Sequence, residues 1–231
     1  YELVPTIYGA PSLPVPFMNI LNGGAHADNK VDIQEFMIVP HGFDRFDSAL
    51  RAGVEIYHTL KKLLKDRGLA TNVGDEGGFA PNLNSSEEVL KIIIEAVEIA
   101  NYKMEEQVSI ALDAASSEFY SEGKYLIEEE ELNSSEMVSY LIDLSTKFPI
   151  VSIEDGLAED DWDGWNELTS KIGETTQLVG DDLFVTQAQM LEKGITEKSA
   201  NSILIKVNQV GSISETYETM QLAKESDFTY M

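Results

Sequence analysis

Three short apolar runs from residue 108 onward end in acids, and a fourth carries a lysine. VSIALD closes on Asp113, PIVSIED on Glu154 and Asp155, and QLVGDD on Asp181 and Asp182, while NSILIKVN places Lys206 among Ile203, Leu204, Ile205 and Val207. Runs of this kind read as buried strands. Carboxylates brought together at strand ends repel unless a cation joins them, and an all-oxygen site suits a hard ion such as Mg²⁺. A lysine beside such a cation and partly out of water has a pKa lowered from ~10.4 toward the operating range, where it can accept a proton. Plainer readings stay open beside these. With 41 acidic residues, an acid after a strand is commonly just solvated, and the Lys206 ammonium could pair with Asp182 or Asp155 and simply tie strand ends together.

Two further segments carry candidate groups. NVGDEGGFAP holds Glu76 between aspartate and two glycines, a backbone that lets a carboxylate approach a ligand closely or that makes a plain turn. His26 sits in the glycine-containing loop GGAHADN, in surroundings that His41 and His58 lack. Trp162 and Trp165, in DDWDGW, are expected to anchor a helix against the sheet.

Composition limits the partners. The chain has 231 residues, 43% hydrophobic and 25% charged, the balance of a folded domain with a substantial core. The net charge of −25 excludes nucleic acid as a default partner, because that affinity rests on basic groups displacing counterions. An anionic small molecule needs a local reversal of the field, which a bound cation supplies. No cysteine is present, so disulfides, thiolate metal sites and a cysteine nucleophile are out, and a reducing, cytoplasmic location fits. The longest apolar stretches, such as LKIIIEAVEIA, are broken by charge well short of the ~20 residues that span a bilayer. Membrane insertion is not expected.

Positioning those groups requires a particular alternation of elements. SALRAGVEIYHTLKKLLKDRG has apolar residues at Leu50, Val54, Tyr57, Leu60 and Leu64 in helical spacing and stops at Gly68. SSEEVLKIIIEAVEIA opens with Ser85 and Glu88 in capping-box spacing. Thereafter strands at 108–113, 149–155, 177–182 and 201–208 alternate with helices near 134–147, 160–172, 186–193 and 212–225, the last capped by Ser212 with Glu215. Such alternation predicts a parallel sheet with helices outside it. SLPVPFMNI and DIQEFMIVP are strand-like with no helix between them, giving six strands in one domain. If the strands close toward a barrel, their carboxyl ends, and hence the acids, share one face.

Six stretches, LPVPFMNILNGGAHADNKVDIQEFMIVP, VGDEGGFAPN, ALDAASSEFY, VSIEDGL, LVGDDLFVT and NSILIKVNQVGS, together resemble enolase, in that family's order and from about Leu13 to the end. The resemblance implies an α/β fold, an enolase-type TIM-like barrel with atypical first connections. It implies reversible Mg²⁺-dependent dehydration of 2-phosphoglycerate to phosphoenolpyruvate. By resemblance Asp113, Glu154 and Asp181 ligate Mg²⁺, Lys206 removes the C2 proton, and Glu76 protonates the departing hydroxyl, which calls for a raised pKa. Glu35 assists as a catalytic group. His26, Gln34, Glu35, Glu154 and Asp181 bind substrate. Metal on the substrate carboxylate stabilises the dianion formed when carbon is deprotonated, as in enolase-superfamily sites generally.

The resemblance also carries expectations about the whole protein. Residues 1–231 are expected to form a partial C-terminal catalytic barrel, without the family's small α+β domain and last barrel strands, and to be inactive alone. A homodimer or larger ring, and a cell-surface or secreted fraction beside the cytoplasmic one, are the family's pattern. The alternative reading is an enolase-like barrel recruited as a surface-binding or scaffold protein.

Overall fold

A computed structural model describes residues 13–231; Tyr1 lies outside the described residues. Strands β1 (Met18–Asn22) and β2 (Glu35–Val39) are followed by helices α1 (Phe46–Asp66) and α2 (Ser86–Ile99) and by β3 (Ser109–Asp113). A ribbon of β4 (Tyr120–Ser121), β5 (Lys124–Ile127) and β6 (Glu130–Leu132) leads into α3 (Ser134–Lys147) and β7 (Ile150–Glu154). Then come α4 (Trp162–Ile172), β8 (Gln177–Gly180), α5 (Ala188–Glu197), β9 (Ser202–Ile203), α6 (Val207–Val210), α7 (Ile213–Glu225) and β10 (Thr229–Tyr230). Among the described residues no helix is long and apolar enough to cross a membrane.

The main sheet has seven strands in the order β1-β2-β3-β7-β8-β9-β10, open at β1 and β10. From β3 onward every pairing is parallel, while β2 runs antiparallel to both neighbours. One reversed strand explains why the first two runs need no helix between them. The count of six strands falls short by β10, whose two residues are too brief to show a period, and the β4-β5-β6 ribbon was also not anticipated. The ribbon is anchored by Tyr125, fully buried, whose hydroxyl donates to Asp161 Oδ2 at 2.6 Å and accepts from the Ala158 N–H at 3.0 Å.

Local signals hold the helices where they were expected. The Ser85 hydroxyl accepts from Glu88 N, Ser212 accepts from Glu215 N, and Asn133 with Glu136 completes a capping box at α3. Two details differ. At α2 the Glu88 carboxylate accepts from Asn84 N rather than closing the box on Ser85. In α1 the buried stripe is Ala49, Ala52, Gly53, Ile56, Leu60 and Leu64, with Leu50 and Val54 exposed. Small residues let this helix lie close to β1: a Cβ on Gly53 would meet the Met18 sulfur at 2.1 Å.

Two apolar layers hold the sheet. The large one lies between sheet and helices and includes Phe36, Ile38, Ile110, Leu112, Ile153, Leu178 and Ile203, together with the fully buried Trp165 of α4. The small one, Met37, Val39 and Ala111 with Phe17 and Val151, lies on the other face. Alternation puts Glu35 in line with Met37 and Val39, and Asp113 in line with Ala111, so both carboxylates belong to this inner face.

Candidate active site

The reversed strand decides what meets at the mouth of the sheet. Because β2 runs against β3, its first residue lies level with the last residue of its neighbour: Glu35 is the register partner of Asp113, which in turn partners Glu154 on β7. Gln34, one residue before β2, donates from Nε2 to Asp113 Oδ2 at 3.1 Å.

Asp113, Glu154 and Asp155, all buried, offer oxygens within 4.8 Å of one another, and Asp155, Asp181 and Asp182 form a second such group. Asp155 is common to both groups, and the Asp181 charge also acts on Asp113 and Glu154. Burial, and then repulsion from neighbouring carboxylates, pushes Glu154 far above the usual carboxylate range. Asp113 is raised mainly by burial, although the Ala115 N–H and the Gln34 amide favour its charge. Uncompensated acids of this kind are what a hard cation relieves, and the donor set is all oxygen, so the residues fit Mg²⁺.

Lys206 lies beyond β9 rather than on it. The expected strand over 201–208 shortens to Ser202–Ile203, though backbone bonds continue to Leu204 and Ile205. Its side chain is 44% exposed and its ammonium donates to Asp181 Oδ2, not to Asp182 or Asp155. Burial opposes that charge, but the hydrogen bond to Asp181 and the charges of Asp181, Glu154 and Asp113 outweigh it and hold the ammonium above its usual range. That direction is set by the carboxylates alone; the lowering expected of Lys206 belongs to an amine that has a bound cation beside it.

Three neighbours support this centre: Asp155, already noted in the sequence as a strand-end acid, and Gln209 and Thr186, which carried no signal there. Asp155, in the left-handed region at φ +42°, accepts from the N–H groups of Asp181 and Asp182 at 3.0 and 2.8 Å and so holds the turn that carries Asp181. Gln209 donates to Asp181 Oδ1 at 2.7 Å and accepts from Thr186, whose hydroxyl oxygen also accepts from Lys206 N at 2.9 Å. The signal for Asp155 was its adjacency to Glu154; charge pattern alone did not separate it from solvated acids.

The opposite side of the mouth holds His26, Glu35 and Glu76, with ligand atoms within 4.8 Å of one another. His26 Nδ1 is 3.9 Å from Glu35 Oε1. Glu35 and Glu76 share a hydrogen bond. Burial and that bond raise Glu35, whereas the same bond, helped by His26 and Lys206, lowers Glu76. The two carboxyls titrate as a pair, of which Glu35 is the more buried member.

The loop bearing Glu76 is fastened to β1. Asn22 N donates to Phe79 O at 2.8 Å and Phe79 N to Ile20 O at 3.0 Å. The Gly78 backbone presses on this strand: an added Cβ would lie 2.5 Å from Asn22 Oδ1 and 2.8 Å from Leu21 N.

Compared with known protein families, residues 10–231 match the model described as "Enolase, C-terminal TIM barrel domain". The chain belongs to the enolase family. The match agrees with the α/β, barrel-type sheet with atypical first connections that the resemblance of the six stretches implied. Every residue carried over by that resemblance lies on this rim or in the loops above it, Gln34 and His26 included.

Proposed function

We propose that the site dehydrates 2-phosphoglycerate reversibly to phosphoenolpyruvate with Mg²⁺. The observation that carries this reading is a rim of buried acids with Lys206 paired to Asp181 at one part of it and His26, Glu35 and Glu76 clustered at another. Asp113, Glu154 and Asp181 would hold the ion. When bound, Mg²⁺ supplies neutralisation of charge at the substrate carboxylate, which weakens the adjacent C–H bond toward heterolysis.

The chain's own groups divide the rest. Lys206, in its neutral amine form, takes the proton from the carbon beside the carboxylate. The proton held between Glu35 and Glu76 goes to the hydroxyl on the next carbon, which leaves as water as the C–C double bond forms. Gln34 keeps Asp113 oriented, and His26 stands where it can receive the phosphate end. Atoms and charge balance: one proton is taken at nitrogen and one is given at oxygen.

The test is Mg²⁺-dependent appearance of phosphoenolpyruvate from 2-phosphoglycerate, followed by its ultraviolet absorbance. No product at any Mg²⁺ concentration from a folded full-length enzyme carrying this barrel defeats the reading; residues 1–231 alone are expected to form none. We further propose a cytoplasmic homodimer or larger homo-oligomer as the working form, which sedimentation of the purified protein tests.

A further inference from the structure

Outside the groups above, one carboxylate joins the acid side of the mouth to two distant elements. Residues 128–131 are four successive glutamates. Ile127 pairs with Glu130 across the β5-β6 turn, leaving Glu128 and Glu129 as its two central residues, both left-handed at φ +50° and +65°. A two-residue turn with positive φ at both positions favours Asn and Gly, and glutamate is disfavoured there. Backbone strain of this sort persists only where the surroundings hold it.

The surroundings here are specific. Glu128 Oε1 accepts from Ser86 N, in the first turn of α2, at 2.7 Å, and from the Tyr140 hydroxyl of α3 at 3.1 Å. Tyr140 Oη also lies 2.9 Å from Ser86 Oγ, with Ser86 itself buried. The Glu128 N–H donates to Asp32 Oδ2 at 2.7 Å. Asp32 precedes Gln34 by two residues and Glu35 by three, in the β1-β2 loop that also holds His26. Within that loop Gly24 N donates to Val31 O at 2.6 Å and Gly23 N to Gln34 O at 3.0 Å, so a displacement at Asp32 is passed to the residues on either side.

We propose that Glu128 is a positioning residue whose side chain pins the hairpin tip to α2 and α3 so that its backbone N–H can hold Asp32, and with it the loop carrying His26, Gln34 and Glu35. The kinetic part rests on the proposed function; the structural part does not.

Glu128→Asn separates this role from a purely local one, because Asn suits the left-handed turn but is too short to reach Ser86 N. Glu128→Gln keeps both the length and an acceptor oxygen. Hydrogen exchange of the full chain is read at amides 24–34, beside melting temperature and steady-state kinetics with 2-phosphoglycerate. Expected for Glu128→Asn are an undiminished melting temperature, exchange at 24–34 faster by about tenfold, the scale of one lost charge-assisted hydrogen bond, and a raised KM with kcat less affected. Glu128→Gln restores wild-type exchange and KM. Native protection of 24–34 in folded Glu128→Asn overturns the proposal. Should that variant unfold, Asp32→Ala carries the same test with the same expected loss of protection. Should the full-length wild-type enzyme form no phosphoenolpyruvate, the function is refuted while the exchange data still decide the tie.

Discussion

Replacing Gly78 by alanine tests whether the Glu76 loop must lie flat on β1. The added Cβ meets two side-chain oxygens, of Asn22 and Asn19, at 2.5 and 2.8 Å, and the Leu21 backbone nitrogen at 2.8 Å. The amides could turn aside, but Leu21 N is the middle of a strand in the sheet and cannot retreat. Two responses are available. Keeping the loop in place costs the ~1–3 kcal/mol typical of overpacking. Lifting it breaks the Asn22–Phe79 and Phe79–Ile20 backbone bonds, at roughly 1 kcal/mol each. Either way the loss is about 2 kcal/mol, and at ~2–4 °C per kcal/mol for a domain of this size the melting temperature falls by ~4–8 °C. If the loop lifts, Glu76 leaves Glu35, and a displacement near 1 Å at a reacting group costs on the order of 10²-fold in rate. Gly77→Ala is the control, since its Cβ meets nothing within 4 Å and only its φ of +84° is strained. Calorimetric melting and turnover of both variants decide the matter; Gly78→Ala with wild-type melting and wild-type turnover refutes the reasoning.

Lys206→Ala should stop exchange of the substrate's carbon-bound proton with deuterated solvent and lower kcat by ~10²–10⁴, with little change in melting because the side chain is half exposed. Tyr125→Phe strands the buried Ala158 N–H and removes a donor from Asp161, which caps α4; a loss of ~1–3 kcal/mol is expected by chemical denaturation. Without Mg²⁺, stability should fall as pH rises. The folded state raises Asp113 from its ordinary 3.8 to about 6, so between those values it binds more protons than the unfolded chain. That contribution is fully present below the ordinary carboxylate range and is lost as pH passes about 6, with Glu154 extending the decline upward. Melting curves in a chelator across this range check the sign; excess Mg²⁺ should flatten the slope, because the ion binds the deprotonated acids.

How much of this could be read in the residues depended on the range of the interactions. Asp113, Glu154 and Asp181 were visible because each ends an apolar run, and a run boundary is a local property. Ser85, Asn133 and Ser212 start helices for equally local reasons. The buried hydrogen bonding of Asp155 was not visible, since its partners are two backbone N–H groups in the turn after β8. The partner of Lys206 depended on where β9 stopped. Leu50 and Val54 had the right spacing for a buried face, yet Ala49 and Gly53 took it, because close approach to Met18 needs small residues. The turn at Glu128 and Glu129 was hidden by its own composition, as glutamates are not expected where φ is positive. The burial of Glu35 level with Asp113 follows from the reversed strand, which no local pattern announces.

That reversed strand has a further consequence for how the protein assembles. From β3 to β10 each strand joins one made shortly before it, so Asp113, Glu154, Asp181 and Lys206 accumulate stepwise along the chain. Glu35 reaches Asp113 only when β2 and β3 find each other across the whole span of α1 and α2, a distant closure that slows folding. The Lys206 side of the centre is thus built from successive neighbouring β-α units, while the Glu35 side depends on one long-range pairing.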